Sequence, residues 1–340
     1  MDSYTTDFVS SFDDEFGSVT PMYNSIPSNN CCMALDFSSM AMQTLTGMSS
    51  SRVSNSIGNM MTKEQIYQYE NENGFLMWAD GFLDRFVSTL SILRPSSVIV
   101  AIDCKGNNWR KDIYSDYKFG RKTKSGYLSS VDFDLFAKAK IKMIEYLRNI
   151  GMLCIEVDRA EADDILYCIA RAKDNTVIVS CDGDMNQLAK WGAKIYNPVK
   201  RSFVEDMDAK FFLEIKTIMG DGGDFIHSIR GSITDKKAVW PVTLYNAASS
   251  VGVLNYLLEN ESENKDVIIP LPSGDIKLKM SDIYIRNKSL IDMEYIPQDI
   301  INSIMEKWGH ESLNLKYDKD SAALYNIKYI DIIARYVKMI

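Results

Sequence analysis

Histidine is nearly missing: there are two in 340 residues, and the six cysteines show no CxxC spacing. That pattern argues against a zinc site, and it gives no disulfide framework. Cys31 and Cys32 are adjacent, while Cys104, Cys154, Cys168 and Cys181 are scattered, mostly in apolar runs where a thiol behaves as a small hydrophobe. No apolar run approaches a membrane span, and the first residues have neither a basic stretch nor a signal-type apolar core. These absences lead to the expectation of a cytoplasmic protein that does not engage membranes. Positive charge is also in deficit, with a net charge of −8. The sum does not exclude a polyanionic partner, because binding depends on where the charge sits.

What is present is a globular composition, 46% hydrophobic and 25% charged, in a chain long enough for one large domain or two ordinary ones. Residues 1–30 mix Ser, Thr, Asn, Pro and acids without periodicity and read as a flexible tail. A repeat of short apolar runs follows. Residues 31–35 end in Asp36, 97–102 in Asp103, 152–157 in Asp158 and 176–181 in Asp182, with 194–196 as a further candidate. Short runs rich in Val and Ile fit strands buried on both faces. Helical periodicity fills the gaps at about 64–93, 132–149 and 161–172. The alternation predicts an α/β fold, a central and mostly parallel sheet with helices on both faces. After about residue 206 the strand signal fades. Helices are expected at 210–219, 238–256 and 298–308, with an extended stretch near 267–278.

Ligands of such sheets sit beyond the carboxyl ends of the strands, where Asp36, Asp103 and Asp182 fall. Taken singly, each reads as a cap or turn residue. Denser acidic groups join them: Glu161, Asp163 and Asp164 at a helix start, Asp182 and Asp184 after the next strand, and Asp221 and Asp224 in a glycine-rich turn. Carboxylates packed together repel one another unless a cation neutralises them. All-oxygen ligands select Mg²⁺, with Mn²⁺ as a substitute. Two such ions about 4 Å apart can hold the attacking and leaving oxygens of a phosphoryl displacement. One ligand group is expected from Asp36, Asp103, Glu161 and Asp163, and another from Asp182, Asp184 and Asp224.

The segment 105–124 carries Lys105, Arg110, Lys111, Lys118, Arg121, Lys122 and Lys124 against only Asp112 and Asp116, with Trp109, Tyr114, Tyr117 and Phe119 interleaved. Basic groups can track phosphates while aromatic faces stack on unpaired bases. A solvated crossover loop would look similar, but this one begins just past a proposed metal ligand.

The order D…D…WR-x(6)-YK-x-x-R…EADD…DGD…GD-x-x-D resembles the phage 5′→3′ exonuclease and flap endonuclease family, on the side of its T-even RNase H members. The matching pieces lie at 35–41, 101–103, 109–121, 161–165, 180–188 and 219–224, with a further stretch at 289–297 that carries no obvious chemistry. The resemblance implies a nuclease core over 31–206 with an arch or bridge at 105–130, and a helix–three-turn–helix-like region over 207–340 that grips duplex. It places Asp36, Asp103, Glu161, Asp163, Asp164, Asp182, Asp184, Asp221 and Asp224 at the family's metal-binding acidic positions. Lys118 falls at its catalytic lysine, with Arg110 and Arg121 at its basic arch positions. Lys105, Trp109, Lys111, Tyr117, Lys122 and Lys124 complete a nucleic-acid-binding surface. The family's G-x-G hairpin after the last acid is reduced here to Gly231, which puts its backbone cation site in doubt.

The function implied is two-metal hydrolysis of RNA primers and adjacent DNA from 5′ ends during replication. Its substrates are 5′ flaps, nicks, forks and RNA–DNA hybrids. The protein is expected as a monomer in the host bacterial cytoplasm, with a single-stranded-DNA-binding protein and other replisome components as partners. Two other readings share many of the same residues: a PIN-like endoribonuclease, and a non-catalytic replication-fork binder.

Overall fold

The computed structural model describes residues 31–48, 61–120, 126–205, 208–233 and 242–313. The tail expected over 1–30, and Arg121, Lys122 and Lys124, lie outside the described residues.

Six strands form one sheet: β1 (Cys32–Asp36), β2 (Ser97–Ile102), β3 (Leu153–Glu156), β4 (Thr176–Val179), β5 (Lys194–Asn197) and β6 (Ser202–Phe203), in the order β3-β2-β1-β4-β5-β6. The first five run parallel, and the sixth turns back antiparallel to β5. The apolar runs were the correct signal, since every residue of β1 and β4 is buried. Alternate side chains of β1 feed two cores. Met33 and Leu35 join a layer containing Phe82, Phe86 and Leu147. Ala34 joins one containing Ile165, Ile169 and Ile300 on the other face. Burying a phenylalanine such as Phe82 contributes about 2 kcal/mol relative to leaving it in water, so the two layers fix the strand register firmly.

The helices α1 (Phe37–Gly47), α2 (Lys63–Glu72), α3 (Leu76–Leu93), α4 (Arg110–Ile113), α5 (Phe133–Asn149) and α6 (Ala162–Ala172) belong to this half. The periodicity over 64–93 resolves into two helices rather than one. Gly74 and Phe75 take φ of 67° and 63°, which breaks the helical run. The buried Glu70 carboxylate then accepts from Met77 N and Trp78 N, so it caps the second helix from within the first.

Beyond β6 come α7 (Ala209–Met219), α8 (Val242–Ser249), α9 (Val253–Glu259), the antiparallel pair β7 (Asp266–Ile269) and β8 (Ile276–Lys279), α10 (Met280–Ile291) and α11 (Gln298–Leu313). The helix expected over 238–256 is likewise interrupted, at Gly252 with φ 87°. The hairpin supplies the extended stretch foreseen near 267–278. Ile215, Ile229, Leu257, Ile283 and Tyr284 form the core of this region. No helix among the described residues is long and apolar enough to cross a membrane.

The strand order reverses direction at β1, whose neighbours are β2 and β4. Open α/β sheets bind ligands at the carboxyl edge of such a switch point. Asp36 is the last residue of β1, Asp103 follows β2, and Asp182 lies just past β4.

Candidate metal and nucleic-acid site

Four hydrogen bonds bring the sheet-edge acids together. Asp36 caps α1 by accepting from Ser39 N at 2.9 Å, and its second oxygen accepts from Ser180 Oγ at 2.9 Å. Ser180 Oγ in turn accepts from Asp182 N at 3.0 Å. Asp103 accepts from Ala162 N at 2.9 Å and so joins the end of β2 to the start of α6, where Asp163 follows. The resulting crowding is visible in the acidities. Burial, then the charges of Asp103 and Asp182, push Asp36 up to about 7 despite its hydrogen bonds. Burial, then Asp182, Asp36 and Glu161, push Asp163 well above the carboxylate range. Residues separated by more than a hundred positions therefore share one electrostatic site.

A second group surrounds Lys216 on α7. Its ammonium bridges Asp184 and Asp221, lying 2.9 Å from the latter and still closer to the former. Burial works against the charge on Lys216, but Asp184, Asp221 and Asp182 outweigh it and hold the amine protonated. Burial raises Asp184 to about 7 even with Lys216 opposing it. For Asp221 the balance is reversed. Lys216 and the amides of Gly223 and Asp224 overcome burial and hold it below its usual value.

The third group is fully paired. Arg110 is buried and places Nη1 3.2 Å from Glu161, Nη2 2.9 Å from Asp164, and Nε 2.9 Å from the Leu290 carbonyl. Asp164 accepts further from Trp109 Nε1 at 3.0 Å and from Glu161 N at 2.8 Å. Glu161 accepts from Asn108 Nδ2, Tyr117 OH and Lys118 Nζ as well. Tyr117 OH lies 3.0 Å from Glu161 and 2.7 Å from Asp224, so its single proton serves one carboxylate or the other, and Lys118 N donates to the Asp224 carbonyl at 2.8 Å.

A narrow cleft with a cavity volume of about 20 Å³ lies among these groups, lined by Arg110, Tyr117, Asp163, Asp184, Asp221 and Asp224 among others. The acids expected from strand ends and from the glycine-rich turn are thus brought together. The structure corrects four assignments. Asp164 is fully buried and its charge is neutralised by the Arg110 guanidinium, so it anchors Arg110 and Trp109 instead of presenting a metal ligand. Trp109 and Tyr117, at 1% and 3% exposure, hold carboxylates and offer no face to a base. Arg110 acts on Glu161 and Asp164, which makes it a positioning residue and not a phosphate contact. Lys105 and Lys111 are exposed, as a phosphate-tracking role needs.

Sequence reasoning missed Lys216 and Ser180. The signal for the first was a lysine among apolar residues on the stripe that holds Phe212, Ile215 and Met219. It also missed the purpose of residues 289–297. There Leu290 receives Arg110, and Gln187 bridges to Ile291 O and Met293 N at 3.2 and 3.0 Å.

The donor set suits hard divalent cations, being all oxygen, with the buried Asp36 raised by Asp103 and Asp182 and the half-buried Asp163 raised by Asp182 and Asp36. Among the described residues, no three His, Cys, Asp or Glu side chains stand at ready-made ligand distance. In the second group the intervening position is taken by the Lys216 ammonium.

Residues 60–215 match the family of the 5′-3′ exonuclease N-terminal, resolvase-like domain. Flap endonuclease Xni of Shewanella denitrificans is 31% identical over 150 residues, spanning 41% of this chain and 56% of that protein. The chain thus covers little more than half the length of this relative. Ribonuclease H of Enterobacteria phage T4 is 23% identical over 238 residues, 67% of this chain and 74% of that enzyme. The crystal structure of bacteriophage T5 flap endonuclease in a pseudo-enzyme–product complex with DNA and metal ions superposes with a TM-score of 0.54 at 17% identity, covering 84% of this chain and 99% of that one. At that identity the structural likeness establishes the fold, a mostly parallel sheet with flanking helices.

Proposed function

We propose that the protein is a divalent-metal-dependent 5′→3′ exonuclease and flap endonuclease, active on DNA and on RNA paired to DNA. The observation that carries this reading is the convergence of Asp36, Asp103, Asp163 and Asp182 at the switch point of the sheet, with the Lys118 ammonium paired to Glu161 and near enough to act on Asp163. Its support from relatives is the match over residues 60–215 and the likeness to flap endonuclease Xni and ribonuclease H.

With Glu161 taken up by Arg110, Tyr117 and Lys118, the expected ligand groups shift: Asp36, Asp103, Asp163 and Asp182 would hold one Mg²⁺, and Asp184, Asp221 and Asp224 a second, with Mn²⁺ able to substitute. When bound, such ions lower the pKa of water and neutralise charge on a leaving oxygen. The chain's own residues do the rest. Ser39 N and Ser180 Oγ fix both oxygens of Asp36, so its carboxylate cannot rotate away from the cleft. Arg110 and Tyr117 hold Glu161, which keeps Lys118 at the rim. From there the ammonium can meet a scissile phosphate and offset the charge that develops on it. Lys105 and Lys111 would track the incoming strand, together with Arg121, Lys122 and Lys124. The region from α7 to α11 would grip the duplex as the second domain, with 31–206 as the catalytic one.

In the cell this chemistry fits removal of RNA primers and adjacent DNA during replication, by a monomer in a bacterial host's cytoplasm that works beside a single-stranded-DNA-binding protein. A 5′-labelled flap and a nicked duplex, each with and without Mg²⁺, test the reading. Short 5′ products and flap-length products that need the metal are expected. Cleavage confined to unpaired RNA without regard to ends would favour a PIN-like endoribonuclease, and binding without cleavage in Mg²⁺ or Mn²⁺ a non-catalytic binder.

A further inference from the structure

Neighbouring residues of α10 reach two parts of the site at once. Leu290 and Ile291, at the end of that helix, line the cleft itself. One turn earlier stand Arg286 and Asn287. Asn287 is wholly buried, and its amide is fully used. Nδ2 donates to the Thr217 carbonyl at 3.1 Å and to the His227 carbonyl at 2.7 Å. Oδ1 accepts from Arg286 Nε and Nη2 at 3.3 and 3.0 Å.

The two carbonyls belong to the segments that carry the second acidic group. Thr217 follows Lys216 in the last turn of α7, where a helix leaves carbonyls without partners of its own. His227 comes directly after the turn that holds Asp221 and Asp224, whose stem is a pair of 2.8 Å hydrogen bonds between Asp221 and Ile226. The chain passes from helix to turn at Gly220, with φ 70°, where a Cβ would come within 2.3 Å of the Ile226 carbonyl oxygen. The backbones of helix end and stem therefore meet without a side chain between them, and Asn287 ties them together from α10. Arg286 extends the tie to the lysine rim. Its guanidinium lies 4.8 Å from the Tyr114 ring, and the Tyr114 carbonyl accepts from Tyr117 N, one residue before Lys118.

We propose that Asn287, oriented by Arg286, is the positioning residue of the second cation site. Its amide fixes the spacing between Lys216 and the turn bearing Asp221 and Asp224, and so sets how closely Asp184, Asp221 and Asp224 gather on one divalent ion. The inference rests on the nuclease reading above and deepens it by naming what holds the weaker site in shape. An amide suits the task because it gives two protons to two carbonyls and carries no charge. A carboxylate there would repel both carbonyls, and an aliphatic side chain would leave both unpaired. The edge group hangs on Ser39, Ser180 and Ala162 and shares none of these bonds.

The test titrates Mn²⁺ into the metal-free full chain by calorimetry, alongside melting curves in EDTA. Wild type is expected to bind two ions, the tighter at the sheet edge. Asn287→Ala should weaken the second ion by about ten-fold or more and leave the first within about two-fold, the scale on which groups that orient metal ligands act. Arg286→Met should weaken the second ion by a few-fold. Arg286 is only half-buried, so this variant supplies the measurement should Asn287→Ala not fold. A purely structural asparagine would lower the melting temperature and leave both ion affinities unchanged wherever the variant is folded. That outcome, an equal weakening of both ions, or a single ion in wild type overturns the positioning role, while metal-dependent flap cleavage by wild type still stands. Wild type that binds no Mn²⁺ and cuts no flap overturns the nuclease reading as well.

Discussion

The acids at the sheet edge and those around Lys216 solve one electrostatic problem in opposite ways. Asp36 and Asp163 form no salt bridge among the described residues, and their protons are held far more tightly than usual. Asp184 and Asp221 share an ammonium from within the chain, and Asp221 is held ionised by it. The first group is given no counter-charge in a salt bridge among the described residues. The second receives one from the chain itself, the Lys216 ammonium. The difference teaches that acidic residues of one apparent class, read along a sequence, need not bind metal equally well. The edge group should fill first and more tightly.

The heaviest blow to this contrast is struck at the edge. Asp163→Asn and Asp36→Asn are each expected to lower cleavage of a flap substrate by about a thousand-fold or more, with DNA affinity within a few-fold of wild type. Cleavage that survives either change would place the chemistry elsewhere.

Lys216→Met tests the other side. Breaking a buried ion pair while its carboxylates remain is strongly destabilising, about 3 kcal/mol, and the loss should show in a melting curve taken in EDTA. Mn²⁺ should recover most of it, and calorimetric titration should reveal tighter binding of the weaker ion. If Mn²⁺ rescues nothing, Lys216 is a structural brace and the second group is not a cation site.

A titration sharpens the comparison further. Asp36 has a folded pKa of about 7 against an ordinary value near 3.8. Between those values the folded chain binds more protons than the unfolded one, so metal-free stability must fall as pH rises through that window. A loss on the order of 2 kcal/mol is expected between pH 5 and pH 8. Saturating Mg²⁺ should flatten the trend. A metal-free stability that is level or rising over the same range would contradict the crowding.

The smallest effect belongs to the exposed lysines. Lys105→Ala or Lys111→Ala should weaken nucleic-acid binding only a few-fold and reduce the salt slope by about one. An unchanged slope would remove that residue from the phosphate track.

Much of the fold was legible because strands buried on both faces leave unmistakable Val- and Ile-rich runs, and those of β1, β2 and β4 ended in an acid that the sheet then gathered, whereas Asp158 after β3 is exposed and stands apart. The break between α2 and α3 was not, because it depends on Glu70 capping amides seven and eight residues ahead, a contact with no periodic signature. β6 is two residues long and is fixed by pairing with β5, not by its own pattern. At the site, strand-end acids could be found by position. What position could not reveal was direction. Trp109 and Tyr117 have the composition of base-stacking residues, but their polar atoms turn inward to Asp164, Glu161 and Asp224. Sequence cannot separate an aromatic that serves a carboxylate from one that serves a ligand, since both need a flat ring beside charge.

The Arg110 guanidinium touches Glu161, Asp164 and the carbonyl of Leu290, partners up to 180 positions away. A nascent chain that ended before Leu290 would carry a buried cation with one hydrogen-bonding partner missing, and the lysine rim beside it would be less firmly held. The acidic cleft therefore leans on α10 as well as on the sheet edge, so its geometry is set by two segments that lie far apart in the chain.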